Sequence, residues 1–264
     1  MRLRLISLWV VFILSTCVAA AAQENPPASG AEQARQILDR SIQALGGAAY
    51  LNVRDITRRG RLYSFDRGEL ADPGERFVDY VKFPGKERLE IGKKGNIVYI
   101  NDNDQGWELD RQGIREMTPA QTKDFMEGNQ RDIDYLLRIR LQQEKLALYY
   151  LGREFSDNRT VHVIELVDET NESVKLLIDA GTYLPMQLRY RIRDILSGDW
   201  VDVVEHYGKY ITVQGITTPL YLTRQRAGVR TFEVYFTEVQ YNTGVPDALF
   251  TRGSLEERWR QVKK

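Results

Sequence analysis

The stretch Met186–Asp194 reads MQLRYRIRD, and apolar and charged side chains alternate along it. One face of the extended chain carries Leu188, Tyr190 and Ile192, and the other carries Arg189, Arg191 and Arg193. A period of two is typical of a β-strand that covers a core with one face and meets water with the other. An arginine row also suits an anionic partner such as nucleic acid or lipid. Pairing with neighbouring acids is favoured here, because the chain carries 37 basic and 37 acidic residues.

Segments of the same kind extend along the chain on both sides of this stretch. The predicted strands are Ile56–Phe65, Arg76–Phe83, Glu87–Ile91, Ile97–Asn101, Gly106–Asp110, Leu146–Phe155, Thr160–Asp168, Ser173–Asp179, Met186–Leu196, Trp200–Tyr210, Gly215–Arg226 and Arg230–Tyr241. Short turns rich in Gly, Pro, Asn and Asp separate them. Such strands with tight turns predict an antiparallel meander, and no long linker or internal repeat divides it.

Three helices are predicted around these strands. The first runs from about Ala31 to Leu45 and ends at Gly46-Gly47. Its apolar side chains recur at helical spacing: Ala34, Ile37, Leu38, Ile42 and Leu45. A helical interruption from about Pro119 to Glu144 follows the first strands, with Thr118 as its N-cap and a break at Gly128. A short charged helix over Leu255–Lys263 ends the chain.

The strand Arg230–Tyr241 is apolar on two faces. Phe232, Val234 and Phe236 lie on one face, and Tyr235, Val239 and Tyr241 on the other. A strand of this kind is covered on both sides, so one face could line a cavity. The residues predicted to line it are Phe77, Val81, Phe83, Leu89, Ile91, Trp107, Leu109, Phe232, Val234 and Phe236. Periodicity leaves a second interpretation open, in which the same side chains fill a sandwich core without a cavity.

The sequence contains no recognised constellation for catalysis. His162 and His206 both lie within predicted strands, and neither has a neighbouring nucleophile or orienting acid, so a hydrogen-bonded structural role is favoured for each. The segment Asn101–Gly106 is superficially similar to a calcium loop, but its ligand positions do not match, and a hairpin turn between Ile100 and Trp107 is favoured. We therefore expect no enzymatic activity, no metal and no cofactor.

Composition narrows the class of protein further. The chain has 264 residues, enough apolar side chains for a sizeable core, one Cys and two His. Charge neutrality disfavours nucleic acid as a partner, because such binding requires a basic surface. The low Cys and His content disfavours disulfide scaffolds and zinc modules. The expected protein is a monomer with one main domain.

Residues 1–22 have the three parts of a secretory signal. A cationic start at Arg2 and Arg4 precedes an apolar run over Leu5–Val18, and small residues at 20–22 precede a cleavage point near Gln23. The predicted boundaries are a signal peptide at 1–22, a flexible spacer at 23–30 and a single domain at 31–264. A periplasmic location follows. The alternative is a lipoprotein anchored through Cys17, although Thr16 is bulkier than a lipidation motif expects.

The order of these elements resembles a known superfamily. The stretches that carry the likeness are ALGG at Ala44–Gly47, ITRRGRLYSF from Ile56, VKLLIDAGTYLPMQLRYR at Val174–Arg191 and YNTGVPDALF at Tyr241–Phe250. Over about residues 31–252 the chain resembles the LolA-like superfamily of bacterial outer-membrane lipoprotein-sorting and lipoprotein-carrier proteins. The resemblance implies a mainly β fold: an incomplete antiparallel β-barrel with helices packed in its concave face as a lid over a hydrophobic cavity.

Two functions follow from this resemblance. The first is a periplasmic carrier that holds a lipid or lipoprotein acyl chain without chemistry, with the segment Pro119–Glu144 as a lid. The second is a protein-interaction or envelope-sensor domain of the same fold, with an envelope protein as partner and an interior that is only core. An outer-membrane pore is disfavoured by the central helices and the high proportion of charged residues.

Overall fold

A computed structural model describes residues 29–93, 95–142, 146–194 and 198–262. Within these residues a single antiparallel sheet contains fourteen strands. They are β1 (Asp55–Asp66), β2 (Glu69–Leu70), β3 (Glu75–Lys82), β4 (Lys86–Ile91), β5 (Ile97–Asp102), β6 (Gln105–Asp110), β7 (Gly113–Glu116), β8 (Ala147–Ser156), β9 (Arg159–Val167), β10 (Ser173–Asp179), β11 (Pro185–Arg193), β12 (Trp200–Val213), β13 (Ile216–Arg226) and β14 (Val229–Tyr241). All twelve predicted strands are present, and β2 and β7 are additional to them.

The strand order shows why the sheet stays open. It runs β7-β6-β5-β4-β3-β1-β14-β13-β12-β11-β10-β9-β8, with β2 paired to β1 alone. Apart from the β1–β14 pair, and from the β3–β1 pair that only the short β2 separates, neighbouring strands are consecutive in sequence, so the sheet is two meanders joined where its first and last strands meet. β7 and β8 are the two edges. The predicted incomplete antiparallel barrel is confirmed.

Five helices accompany the sheet within the described ranges. They are α1 (Gly30–Leu45), α2 (Ala48–Leu51), α3 (Pro119–Arg131), α4 (Ile133–Arg138) and α5 (Arg252–Val262). The Ser29 hydroxyl caps α1 by accepting a hydrogen bond from the Glu32 N–H, and Gly46 ends the helix with a φ of 126°. The five apolar residues predicted for its inward face are all buried. No helix in the described part of the chain is both long and apolar enough to cross a membrane.

The predicted faces of MQLRYRIRD are those observed in β11. Leu188 is fully buried, while Arg189 and Arg191 lie on the outer face of the strand. Arg189 pairs with Glu154 at 2.8 Å, and Arg191 pairs with Asp202 at 3.3 Å. The arginines therefore bind acidic side chains of their own chain, as electroneutrality indicates.

The two-faced interpretation of β14 was wrong beyond Phe236. The register with β1 places Glu238 opposite Arg59 and Phe236 opposite Gly60, so Thr237 is an extra residue in a β-bulge. A bulge reverses the alternation. Val239 and Tyr241 consequently point to the same side as Val234 and join the main core. The bulge also brings the backbones close, and a Cβ on Gly60 would lie 2.1 Å from the Tyr235 carbonyl oxygen.

The helical interruption breaks four residues later than the sequence predicts. Gly128 lies inside α3, and the break is at Asp132. The Asp132 carboxylate accepts hydrogen bonds from the backbone N–H groups of Asp134 and Tyr135 at 2.9 and 3.2 Å, which makes it the N-cap of α4. An N-cap with extended backbone starts a new helix more decisively than a helical glycine ends one.

Candidate functional site

The inner face of the sheet, defined as the face that carries α1 and α4, is only partly filled. Its core consists of apolar residues from these two helices packed on β1 and on the strands of the second meander. Leu38 of α1 and Leu136 and Leu137 of α4 are fully buried there, against Ile164, Leu176 and Leu188. This half of the inner face is solid core.

The other half contains a partly open cavity of about 360 Å³. β1, β3, β4, β13 and β14 form its floor and walls, and α3 lies over it. Its apolar lining comprises Ile56, Leu62, Phe77, Val81, Phe83, Leu89, Phe125, Leu222, Phe232, Val234 and Phe236. The volume is within the range of about 300–1,000 Å³ typical of small-molecule sites.

Seven of the ten residues predicted from the sequence line this cavity. They are Phe77, Val81, Phe83, Leu89, Phe232, Val234 and Phe236. Phe77 and Phe236 meet edge to face, with ring centroids 5.9 Å apart. Ile91 lies directly opposite Phe77 in the β3–β4 pair but is not part of the lining.

Trp107 and Leu109 lie on the opposite face of the sheet, which corrects their prediction. They pair with Ile100 and Val98, and the side chain of Ile100 shares its face with Arg88, the neighbour of Leu89. Leu109 belongs to a second core cluster on that face, and Trp107 packs against it. The buried residues of this cluster are Val98, Ile100, Leu109, Val245, Phe250 and Leu255. The turn between β4 and β5 fixes which residues of the two strands share a face. Alternation within each strand does not predict this relation.

α3 covers the cavity but is weakly packed. Phe125, Gly128 and Asn129 face the cavity, and the Asn129 amide donates a hydrogen bond to the Pro84 carbonyl at 3.2 Å. Thr122 is the only buried residue of this helix. An element with so little buried surface opens at a lower free energy than the core beneath it.

Ionisable side chains occupy one part of the lining. Arg58 of β1 lies opposite Asp79 of β3 in the strand register and donates two hydrogen bonds, of 2.9 and 2.6 Å, to the same oxygen, Asp79 Oδ2. The guanidinium also stacks over the Phe236 ring at 5.4 Å. Although burial alone would lower it, the Asp79 carboxylate holds the pKa of Arg58 above its ordinary value.

Glu205 has a complete set of partners in the same lining. Its carboxylate accepts hydrogen bonds from Arg224 at 2.9 Å, from the Tyr190 hydroxyl at 2.9 Å and from the Tyr207 hydroxyl at 2.7 Å. Arg224 in turn stacks over Phe232 at 5.6 Å. Such a carboxylate is stable in a buried position because each oxygen is satisfied.

Asp134 is paired with Arg138, whereas Glu87 and Asp132 form no ion pair within 4 Å among the described residues. The pKa of Glu87 is raised to about 8, mainly by burial and to a smaller extent by repulsion from Asp79. The pKa of Asp132 is raised to about 6, again mainly by burial and to a smaller extent by repulsion from Asp134. Both groups have accessible surface, but it lies within the cavity, so desolvation still governs them.

These charged residues were missed in the sequence analysis, which searched for motifs and apolar faces. One signal was present. In the strand FVDYVK, Asp79 occupies the inward position between Phe77 and Val81, where alternation calls for an apolar side chain. A charged residue on an otherwise apolar face is a reason to search for a buried partner.

Both histidines are hydrogen-bonded. His162 Nδ1 lies 3.1 Å from the Tyr150 hydroxyl, and its ring stacks on Tyr183 with centroids 5.9 Å apart. His206 Nδ1 lies 3.1 Å from Asp157 on the outer part of the sheet. Asn101–Gly106 forms the hairpin between β5 and β6, and no group of three or more His, Cys, Asp or Glu in the described ranges is arranged to hold a metal.

The raised pKa of Glu87 predicts a pH dependence of stability. Between its ordinary value of 4.5 and about 8, the folded state binds more protons than the unfolded state. The free energy of unfolding therefore falls as pH rises through this window, by up to about 1.4 kcal/mol per pH unit for one group. Glu87→Gln is expected to make the slope between pH 6 and 8 less negative in urea titrations. Glu238→Gln on the outer face is the matched control, and equal slopes in all three proteins would contradict the assignment.

Comparisons with known proteins match this architecture at low sequence identity. No family model matches the chain, and no curated protein matches it in sequence. A DUF1329 family protein from Desulfovibrio piger is similar in structure, with a TM-score of 0.61 and 13% identity over 84% of this chain and 98% of that one. A domain from Vibrio parahaemolyticus described as an outer membrane lipoprotein-sorting protein domain gives 0.57 and 14% over 86% and 99%. A LolA superfamily protein from Nitrosomonas europaea gives 0.55 and 14% over 84% and 99%.

These similarities establish the fold. The chain has the LolA-like architecture, so the resemblance carried by ALGG, by Val174–Arg191 and by Tyr241–Phe250 is confirmed at the level of structure. An identity of 13–14% shows no more than that.

Proposed function

We propose that the protein holds the acyl chain of a lipid or lipoprotein in the cavity beneath α3, as a carrier that performs no chemistry on its ligand. The observation that supports this most strongly is the half-filled inner face. α1 and α4 fill one half as core, while the other half keeps about 360 Å³ open behind an apolar lining. The lipoprotein-sorting description of one structural neighbour agrees with this proposal.

Burial of the chain would supply the affinity. Each methylene removed from water contributes about 0.8 kcal/mol, so ten methylenes contribute about 8 kcal/mol before the cost of association. The preformed cavity reduces the ordering cost on the protein side. Release then requires that α3 move, and its single buried residue and its hydrogen bond from Asn129 to Pro84 make it the lid of this mechanism.

The experiment is native mass spectrometry of the protein purified with its natural signal segment, followed by organic extraction of bound molecules. The wild-type protein is expected to retain a lipid and to bind a fluorescent acyl probe. Leu222→Trp places a larger side chain in the cavity and is expected to weaken probe binding at least tenfold. Leu70→Trp, at a position 56% exposed, is the matched control and is expected to bind normally.

Failure has a definite meaning in this test. A wild-type protein that is empty and does not bind the acyl probe would contradict the carrier. It would instead favour the interaction or envelope-sensor domain, in which the apolar interior serves only as core. Leu222→Trp must keep its cooperative unfolding transition for its loss of binding to count.

The location and boundaries of the protein are part of the same proposal. Residues 1–22, including Cys17, and most of the spacer at 23–30 lie outside the described residues. We propose export by the signal peptide and a monomeric single domain over 31–264. Cell fractionation of Cys17→Ser separates the two forms of this proposal, because only a protein anchored through Cys17 would leave the membrane fraction on substitution.

A further inference from the structure

We propose that the charged part of the cavity selects an amphiphile with a primary ammonium group, which binds between Asp79 and Glu87 while its alkyl chain occupies the apolar lining. The inference rests on the proposed function and names the ligand class of the same site. It follows from the balance of charges in the lining, from the hydrogen bonding of Asp79 and from the place of both carboxyl groups in the sheet.

The lining has more carboxyl groups than available cations. Five carboxyl groups border the cavity: Asp79, Glu87, Asp132, Asp134 and Glu205. Arg58, Arg138 and Arg224 each pair with one of them. Lys86 also borders the cavity, but its ammonium group pairs with Asp102 and Asp247 at 3.2 and 3.3 Å. Two carboxyl groups therefore have no ion pair within the described residues, and the site lacks positive charge.

Asp79 has one carboxylate oxygen that Arg58 does not bind. Its side chain is 6% exposed, and both bonds from Arg58 go to Oδ2. Oδ1 is buried and has no N–H or hydroxyl donor within 3.5 Å, so the protonated carboxyl group of Glu87 is the group that can donate to Asp79. When Glu87 ionises, this oxygen loses its donor, and a ligand N–H would replace it.

The two carboxyl groups and the apolar lining are contiguous. Asp79 pairs directly with Leu89 across the β3–β4 hairpin, and Val81 pairs with Glu87, so Asp79 and Glu87 are diagonal neighbours on one face. Phe77 and Val81 flank Asp79 on its own strand. A head group between the two carboxyl groups therefore has apolar side chains on both sides of it, which is the arrangement an amphiphile requires.

An anionic head group fits this site poorly. Arg58 and Arg224 already bind Asp79 and Glu205 within 3 Å, so a carboxylate or phosphate would have to share one of these cations with a buried carboxylate. Two anions at one buried guanidinium repel each other, and this repulsion disfavours such a head group. An ammonium group leaves both arginine pairs in place and displaces only the proton between Glu87 and Asp79, and its three donors match the oxygens of these two carboxyl groups.

Proton exchange should accompany binding. With a pKa of about 8, Glu87 carries a proton at neutral pH, and that proton can be shared with Asp79. An ammonium group between the two carboxyl groups stabilises the ionised form of Glu87. The ligand thus replaces the shared proton, and one proton passes to the buffer for each molecule bound.

The test compares three probes of equal chain length by isothermal titration calorimetry at pH 7, below their micellar concentrations. Dodecylammonium is expected to bind at least tenfold more tightly than dodecanol, and dodecanoate more weakly than either. Titrations in two buffers of different ionisation enthalpy should show the release of about one proton with dodecylammonium. Glu87→Gln should abolish this release and reduce the preference, while Glu238→Gln on the outer face should change neither.

The possible outcomes distinguish failure of this inference from failure of the proposed function. Equal binding of the three probes, or tightest binding of dodecanoate, would overturn the inference and leave the carrier intact. A preference for dodecylammonium without proton release would overturn the assignment to Glu87. Binding of none of the probes would contradict the carrier and the inference together.

Two natural sources carry this chemistry, and acetylation distinguishes them. Lysophosphatidylethanolamine has the ammonium group on a lipid head group, and a palmitoylated cysteine peptide has it at a free amino terminus. N-acetylation removes the charge and two of the three N–H donors in each. The source whose binding weakens at least tenfold on acetylation is the one selected, and indifference of both to acetylation would overturn the inference.

Discussion

Arg58→Met is expected to destabilise the protein by about 3–5 kcal/mol. The substitution keeps a side chain of similar length over Phe236 but removes the only ion-pair partner of Asp79 within the described residues. Asp79 would then be a buried carboxylate beside Glu87 that has lost both of its arginine hydrogen bonds. The measurement is the midpoint of urea unfolding at pH 8, where the shift is expected to be largest because the neighbouring carboxyl groups are most ionised.

Two further variants give this prediction its controls. Arg59→Met removes the next arginine along β1, whose pair with Glu238 is exposed on the outer face, and it is expected to cost no more than about 1 kcal/mol. The double variant Arg58→Met/Asp79→Leu removes both charges and should recover most of the lost stability. A loss at Arg59 equal to that at Arg58 would show that the buried pair has no special role.

Leu137→Ala is expected to destabilise the protein by about 2–5 kcal/mol, because Leu137 is fully buried in the filled half of the inner face. The same substitution at Leu222 removes a side chain that already borders empty space, so it creates little new cavity surface. We expect Leu222→Ala to cost less than half as much. Chemical denaturation of the two variants measures the difference.

This pair of variants tests whether the inner face is divided into core and cavity. Equal costs at the two positions would indicate that the space beside Leu222 is packed as tightly as the core around Leu137. In that case the interior of the protein would be a continuous sandwich core without a cavity. Leu222→Ala should also bind a bulkier acyl probe than the wild-type protein does, since it enlarges the cavity.

The elements of this fold could be predicted from the sequence because each has a local cause. Alternation in MQLRYRIRD placed β11 correctly, and the spacing of Ala34, Ile37, Leu38 and Ile42 placed α1 correctly. The errors occurred where a bulge within a strand, or a turn between two strands, changes which residues share a face of the sheet. The bulge at Thr237 reversed the faces of Val239 and Tyr241, and the β4–β5 turn placed Leu109 on the far side.

The charged part of the site could not be predicted in the same way. Arg58 and Asp79 are 21 residues apart in sequence and meet only because β1 and β3 pair in one particular register. Glu205 and Arg224 likewise meet across β12 and β13. In the sequence alone, each of these residues looks like an ordinary surface charge. Only the register of the paired strands shows that they share a cavity with Phe77 and Phe236.

The most direct test of the account is a crystal structure of the protein with ω-bromododecanol, a neutral alkyl probe that does not depend on the head-group inference. Anomalous scattering locates the bromine without bias. We predict a single strong bromine peak inside the cavity, between Phe236 of β14 and Phe125 of α3. A peak only on the outer face of the sheet, or no peak in crystals saturated with the probe, would contradict the claim that this cavity holds an acyl chain.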